Sequence, residues 1–162
     1  MTRTVVTIGV YGFDRQTFLD ALESAGVGLL LDVRQRRGVR GREYAWANSA
    51  RLQGTLADAG IEYRHHKELA PTTELRRLQY AEDERQGVGK RSRVELAPAY
   101  REGYLTEILD EVDLEPIVAS LPSDAATALL CVERDPEACH RLLIAERMEA
   151  DLGVRVRHLT PG

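Results

Sequence analysis

Apolar positions in this chain recur with two periods. Residues 4–9 are rich in β-branched side chains and end in Gly9, which predicts a first strand closed by a turn through Gly12. Phe18, Leu19, Leu22 and Ala25 then recur at helical spacing behind Asp14, a good N-cap, and Gly26 supplies a C-cap, so a helix over 15–25 is expected. Residues 27–33 form a nearly continuous apolar run of strand length, as suits a strand covered on both faces. Asn48 or Ser49 can cap a helix bearing Leu52, Leu56 and Ala59 and stopped by Gly60, and residues 61–65 read as a third strand.

The second half continues the alternation. A charged helix is expected over 74–85, a glycine-containing loop over 87–90, and a stronger helix over 98–112 with Tyr100, Tyr104, Leu105, Ile108 and Leu109 on one side, continued over 114–121. Residues 126–132 are again an apolar strand. Asp135 and Pro136 then start a helix that runs to about residue 152, with Gly153 as its stop and an alternating outer strand over 154–159. This order predicts a single α/β domain over residues 1–162, a Rossmann-like three-layer fold with a mostly parallel five-stranded sheet and helices on both faces. In such folds ligands sit outside the carboxyl ends of the strands, which selects the segments after Gly9, Val33, His65 and Val132.

Composition narrows the partners. With 162 residues and 43% hydrophobic content the chain can build one continuous core. Two cysteines are too few for a disulfide scaffold, so a reducing compartment is expected. Neither a leader pattern nor an apolar run near the roughly 20 residues of a membrane span is visible, and the expected setting is cytoplasmic, with no membrane partner. An aromatic fraction of 6% argues against a large base-stacking surface, and a net charge of −4 against a globally basic nucleic-acid binder. The charge is uneven, however. Residues 34–42 hold five arginines and no acid, residues 85–93 add Arg85, Lys90, Arg91 and Arg93, and residues 107–135 are acidic.

Candidate chemistry gathers at the strand ends. Asp32 and Arg34 share one face of their strand, either as a structural ion pair or as a pair that orients a ligand. The first strand–helix turn lacks G-x-G-x-x-G and no phosphate loop occurs elsewhere, so no cofactor is expected. The densest group is Cys131, Glu133, Asp135, Pro136, Cys139, His140 and Arg141. With Asp135 as N-cap, Cys139, His140 and Arg141 would lie in the second helical turn, near the positive helix end. Cys131 reads as a small core residue, Cys139 as buried or exposed alike, and Glu133 as a partner for Arg141. The cysteine and histidine spacing matches no usual zinc pattern, so no metal is expected. No nucleophile triad can be assigned, because consecutive Cys139 and His140 would diverge by about 100° on a helix.

These residues also bear a resemblance. Thr7-Ile8-Gly9, the run from Leu31 to Arg34, the run from Ala59 to Tyr63, Glu68-Leu69 and above all the spacing from Cys131 to Arg141 resemble the domain-of-unknown-function family 488, nearly end to end. The chain departs from that pattern at Val10, where a histidine or tyrosine often stands, and in residues 35–46, which lack a common proline. The resemblance implies a compact α/β domain whose matching residues are Asp32, Arg34, Glu133, Cys139, His140 and Arg141, and it implies no settled reaction.

The expected function is therefore binding of a phosphate-bearing ligand, a nucleotide or nucleic acid. Asp32, Arg34 and Arg141 would form the site and Arg36 and Arg37 would border it, because arginine forks and a helix N-terminus suit phosphate. Catalytic candidates are Cys139, His140 and Glu133. The alternatives are a thiol-dependent enzyme using Cys139 and a non-catalytic nucleic-acid-binding module.

Overall fold

A computed structural model describes residues 2–89 and 93–162. Lys90 and Arg91, counted above in the second basic segment, and the end of the 87–90 loop lie outside the described residues. The strands are β1 (Thr4–Ile8), β2 (Val27–Asp32), β3 (Glu62–His65), β4 (Ala126–Leu130) and β5 (Arg155–Leu159). They form one sheet in the order β3-β2-β4-β1-β5, every neighbouring pair parallel. The helices are α1 (Arg15–Ser24), α2 (Ser49–Asp58), α3 (Thr73–Gln86), α4 (Pro98–Tyr104), α5 (Leu114–Ala119) and α6 (His140–Leu152). None of the described helices is long and apolar enough to cross a membrane.

Alternation along the strands builds two cores. Val6, Ile8, Leu30, Ala128 and Leu130 face α1 and α2, whose Phe18, Leu22, Leu52 and Leu56 complete one cluster. Val5, Leu29, Leu31 and Leu129 face the other way, against residues of α3 to α6 such as Leu75, Tyr104, Val118 and Ile144. The three-layer α/β expectation is met, with the sheet parallel throughout. Local chemistry sets the ends: the Asp14 carboxylate accepts from the Thr17 N–H at 2.8 Å while the Thr17 hydroxyl accepts from the Asp14 N–H at 3.0 Å, a reciprocal cap on α1.

Two helices differ from expectation. The helix expected over 98–112 ends as α4 at Tyr104 and passes through a π turn over Leu105–Leu109, in which the Asp110 N–H donates to the Leu105 carbonyl at 2.8 Å. The wider turn lets Tyr104 and Leu109, five residues apart and both buried, share the core face. The last helix begins at His140 and not behind Asp135. Pro136–Ala138 is a short 3-10 turn, and Cys139 is extended at φ −140° and ψ 149°. That extended residue turns its sulfur back toward Cys131, which a continuous helix would not allow.

Candidate site at the carboxyl edge of the sheet

The end of β2 carries a buried ion pair. Asp32 is fully buried and Arg34 is 1% exposed. Asp32 Oδ1 accepts from the Arg34 backbone N–H at 3.1 Å and from its Nε at 2.9 Å, and Oδ2 accepts from Arg34 Nη2 at 2.8 Å. The Tyr63 hydroxyl on β3 donates to the same Oδ2 at 2.6 Å, and Arg34 Nη1 donates to the Ala47 carbonyl at 2.9 Å. All three guanidinium nitrogens are thus spent on protein acceptors. Burial, then the hydrogen bond to Asp32, raises the Tyr63 hydroxyl above its ordinary range and keeps it a proton donor.

Beyond β4, Cys131 and Cys139 are joined in a disulfide. This corrects one expectation. Cys139 offers no thiolate in this state and is 1% exposed, so the reading of Cys139 as an activated nucleophile loses its reactant. His140 sits beside the bridge, its Nδ1 at 3.5 Å from Cys131 Sγ and 3.7 Å from Cys139 Sγ and its Nε2 at 2.8 Å from the Val33 carbonyl. The consecutive residues converge after all, because Cys139 is extended.

Arg141 has no exposed surface and does not pair with the Glu133 carboxylate as expected. Its Nη1 donates to the Glu133 backbone carbonyl at 2.6 Å and its Nη2 to that of Arg134 at 3.0 Å, so it braces the loop after β4. Burial lowers its pKa to about 10. The first strand–helix turn packs on the same loop. A Cβ on Gly9 would stand 1.8 Å from the Glu133 carbonyl oxygen, which is why that position has no side chain.

The Glu133 carboxylate has another partner. Arg93 Nη1 donates to Glu133 Oε1 at 3.1 Å, and the rest of its guanidinium grips Asp83, with Nη2 to Oδ2 at 2.6 Å. Gln79 joins this network, donating to Asp83 Oδ1 at 2.9 Å and accepting from the Ala97 N–H at 2.8 Å. Sequence reasoning missed Gln79, Asp83 and Arg93 as site residues. The available signal was the spacing of Leu75, Gln79 and Asp83, which puts two polar residues on the buried stripe of α3.

Two connected hollows result. A small inner cavity of about 50 Å³ is bounded by Cys131, Cys139, His140, Glu133, Arg93 and Tyr100, among others. It meets an outer cleft of about 800 Å³ lined by Tyr11, Arg36, Gly38, Val39, Arg40, Thr73, Arg76, Arg77, Tyr80, Gly89 and Val132. Arg36, Arg76, Tyr80 and Val132 line both. Arg76 is held in place, its Nη1 donating to Gln35 at 2.7 Å and its Nη2 to the Tyr80 hydroxyl at 2.6 Å. Of the two loop arginines expected to border the site, Arg36 faces the cleft. Arg37 turns away and donates to the Tyr63 hydroxyl at 3.3 Å.

A family model described as domain of unknown function DUF488 matches residues 14–148. No curated protein and no solved structure matches the chain.

Proposed function

Because the chain belongs to the family described as domain of unknown function DUF488, its own site is the ground for a function, and we propose that the outer cleft binds a phosphate-bearing ligand. The supporting observation is the cleft lining: Arg36, Arg40, Arg76 and Arg77, with no carboxylate among the described residues that line it. Guanidinium groups match phosphate oxygens in geometry and charge, and clustered cations raise the local concentration of anions. Its volume lies within the range of small-molecule sites, roughly 300–1,000 Å³, so a nucleotide is favoured over a duplex. Tyr11 and Tyr80 add apolar faces with polar tips for a sugar or base. Asp32, Arg34 and Arg141 serve this site as supports, since the hydrogen bonds they make run to the protein itself.

The test is thermal unfolding across nucleoside phosphates, sugar phosphates and short oligonucleotides. A ligand at a hundred times its Kd adds about 2.7 kcal/mol to the folded state. Stabilisation is expected in the wild type and lost in Arg36→Gln/Arg40→Gln. A library of phosphate compounds without effect refutes the reading. A response to oligonucleotides alone that falls steeply with salt moves it to the binding-module form.

A further inference from the structure

We infer that the reduced protein holds a thiophilic divalent metal ion of the zinc class on Cys131, Cys139 and His140. The two Sγ atoms and a ring nitrogen of His140 lie within 4.8 Å of one another, and all three residues are buried. The imidazole is already set for a metal. The Val33 carbonyl beside Nε2 can only accept, so Nε2 carries the proton and Nδ1 presents its lone pair toward both sulfurs. In a tetrahedral site with Zn–S near 2.3 Å and Zn–N near 2.0 Å, sulfur and nitrogen ligands stand about 3.5 Å apart. The observed separations of Nδ1 from the two sulfurs are 3.5 and 3.7 Å. Only the sulfur–sulfur separation must open, and reduction of the bridge releases it.

Glu133 adds one acceptor beside the sulfurs. Its Oε2 lies 3.3 Å from Cys131 Sγ while Oε1 is anchored by Arg93. Two thiolates cancel a divalent charge and, with an imidazole, select zinc over magnesium or calcium. The inner cavity leaves a fourth position room for a water molecule. Sequence spacing does not announce this set, because it depends on the extended backbone at Cys139.

Metal and disulfide exclude one another. Two electrons and two protons from a phosphine reductant and water, the phosphine leaving as its oxide, convert the bridge to two thiols. Binding of the ion then releases both thiol protons to solvent. The inference is independent of the phosphate reading, since it is tested with the metal alone. The full chain is reduced, stripped with a chelator, exposed to zinc or cobalt and desalted, with circular dichroism to confirm folding. Expected are one equivalent of zinc per chain and a cobalt spectrum with a sulfur-to-metal charge-transfer band. Both should be absent from the oxidised protein and from Cys131→Ser. His140→Gln should weaken retention and change the cobalt spectrum, and it keeps the test informative if Cys131→Ser does not fold. Folded, reduced wild type with two titratable thiols and no retained metal overturns the inference, as does a bridge that cannot be reduced without unfolding.

Discussion

Replacing Asp32 by asparagine tests whether the pair at the end of β2 holds the fold. The carboxylate accepts four hydrogen bonds, three from Arg34 and one from Tyr63, in a place without solvent. An amide keeps one oxygen. Whichever way it turns, its NH2 faces an Arg34 donor, and a buried guanidinium is left without its counter-charge. Breaking a buried ion pair from one side costs about 3–5 kcal/mol. Against a total stability of about 5–15 kcal/mol this removes a large fraction. With a urea slope of roughly 2 kcal/mol per molar, the unfolding midpoint should fall by about 2 M. Arg34→Met should cost a similar amount, and the double variant less than the sum, with a coupling of about 2 kcal/mol or more. Urea titration followed by circular dichroism measures all four proteins. Asp32→Asn within ~0.5 kcal/mol of wild type, or additive single effects, refutes the structural assignment.

Three further outcomes follow from the same edge of the sheet. Arg141→Met should lose stability by at least the ~1.5–3 kcal/mol of a charge-assisted hydrogen bond, while stabilisation by a phosphate ligand, corrected for folded fraction, stays as in wild type; loss of ligand response with unchanged stability would place Arg141 in the binding surface instead. Gly9→Ala forces a methyl group into the Glu133 carbonyl, and a cost on the order of 3 kcal/mol or more is expected from denaturant midpoints. His158, whose Nδ1 lies 2.7 Å from the Thr7 hydroxyl, has its pKa lowered from 6.5 by burial and then by the charge of Arg141. Well above pH 6.5 the ring is neutral in both states. As pH falls below that value the unfolded chain binds the proton first, so stability should decline until the folded ring protonates as well, and His158→Gln should flatten this part of the stability–pH curve.

The layers were legible because they rest on apolar periodicity. The run from Val27 to Val33 and the glycines that end α1 and α6 mark strand and helix limits without reference to the rest of the chain. Burial of charge was not legible. Arg34 and Arg36 stand two apart in one basic stretch, yet one is sealed against Asp32 and the other faces the cleft, and only the position of Tyr63 and Ala47 decides between them. The helix expected behind Asp135 failed for a related reason: Arg141, by bonding the carbonyls of residues 133 and 134, secures a non-helical path that local propensity alone does not encode.

The strand order has a consequence for how the chain reaches this structure. β4 lies between β1 and β2, so Val6 and Leu30 meet their shared neighbour Ala128 only after nearly a hundred further residues have been made. Until then the most apolar strands lack the partner that joins them, and β1 waits for β5 as well. Folding of this topology is governed by distant pairings and is slow. A nascent or truncated chain ending before residue 126 leaves the facing edges of β1 and β2 unpaired and aggregation-prone, and β4 is the wedge whose late arrival covers those two at once.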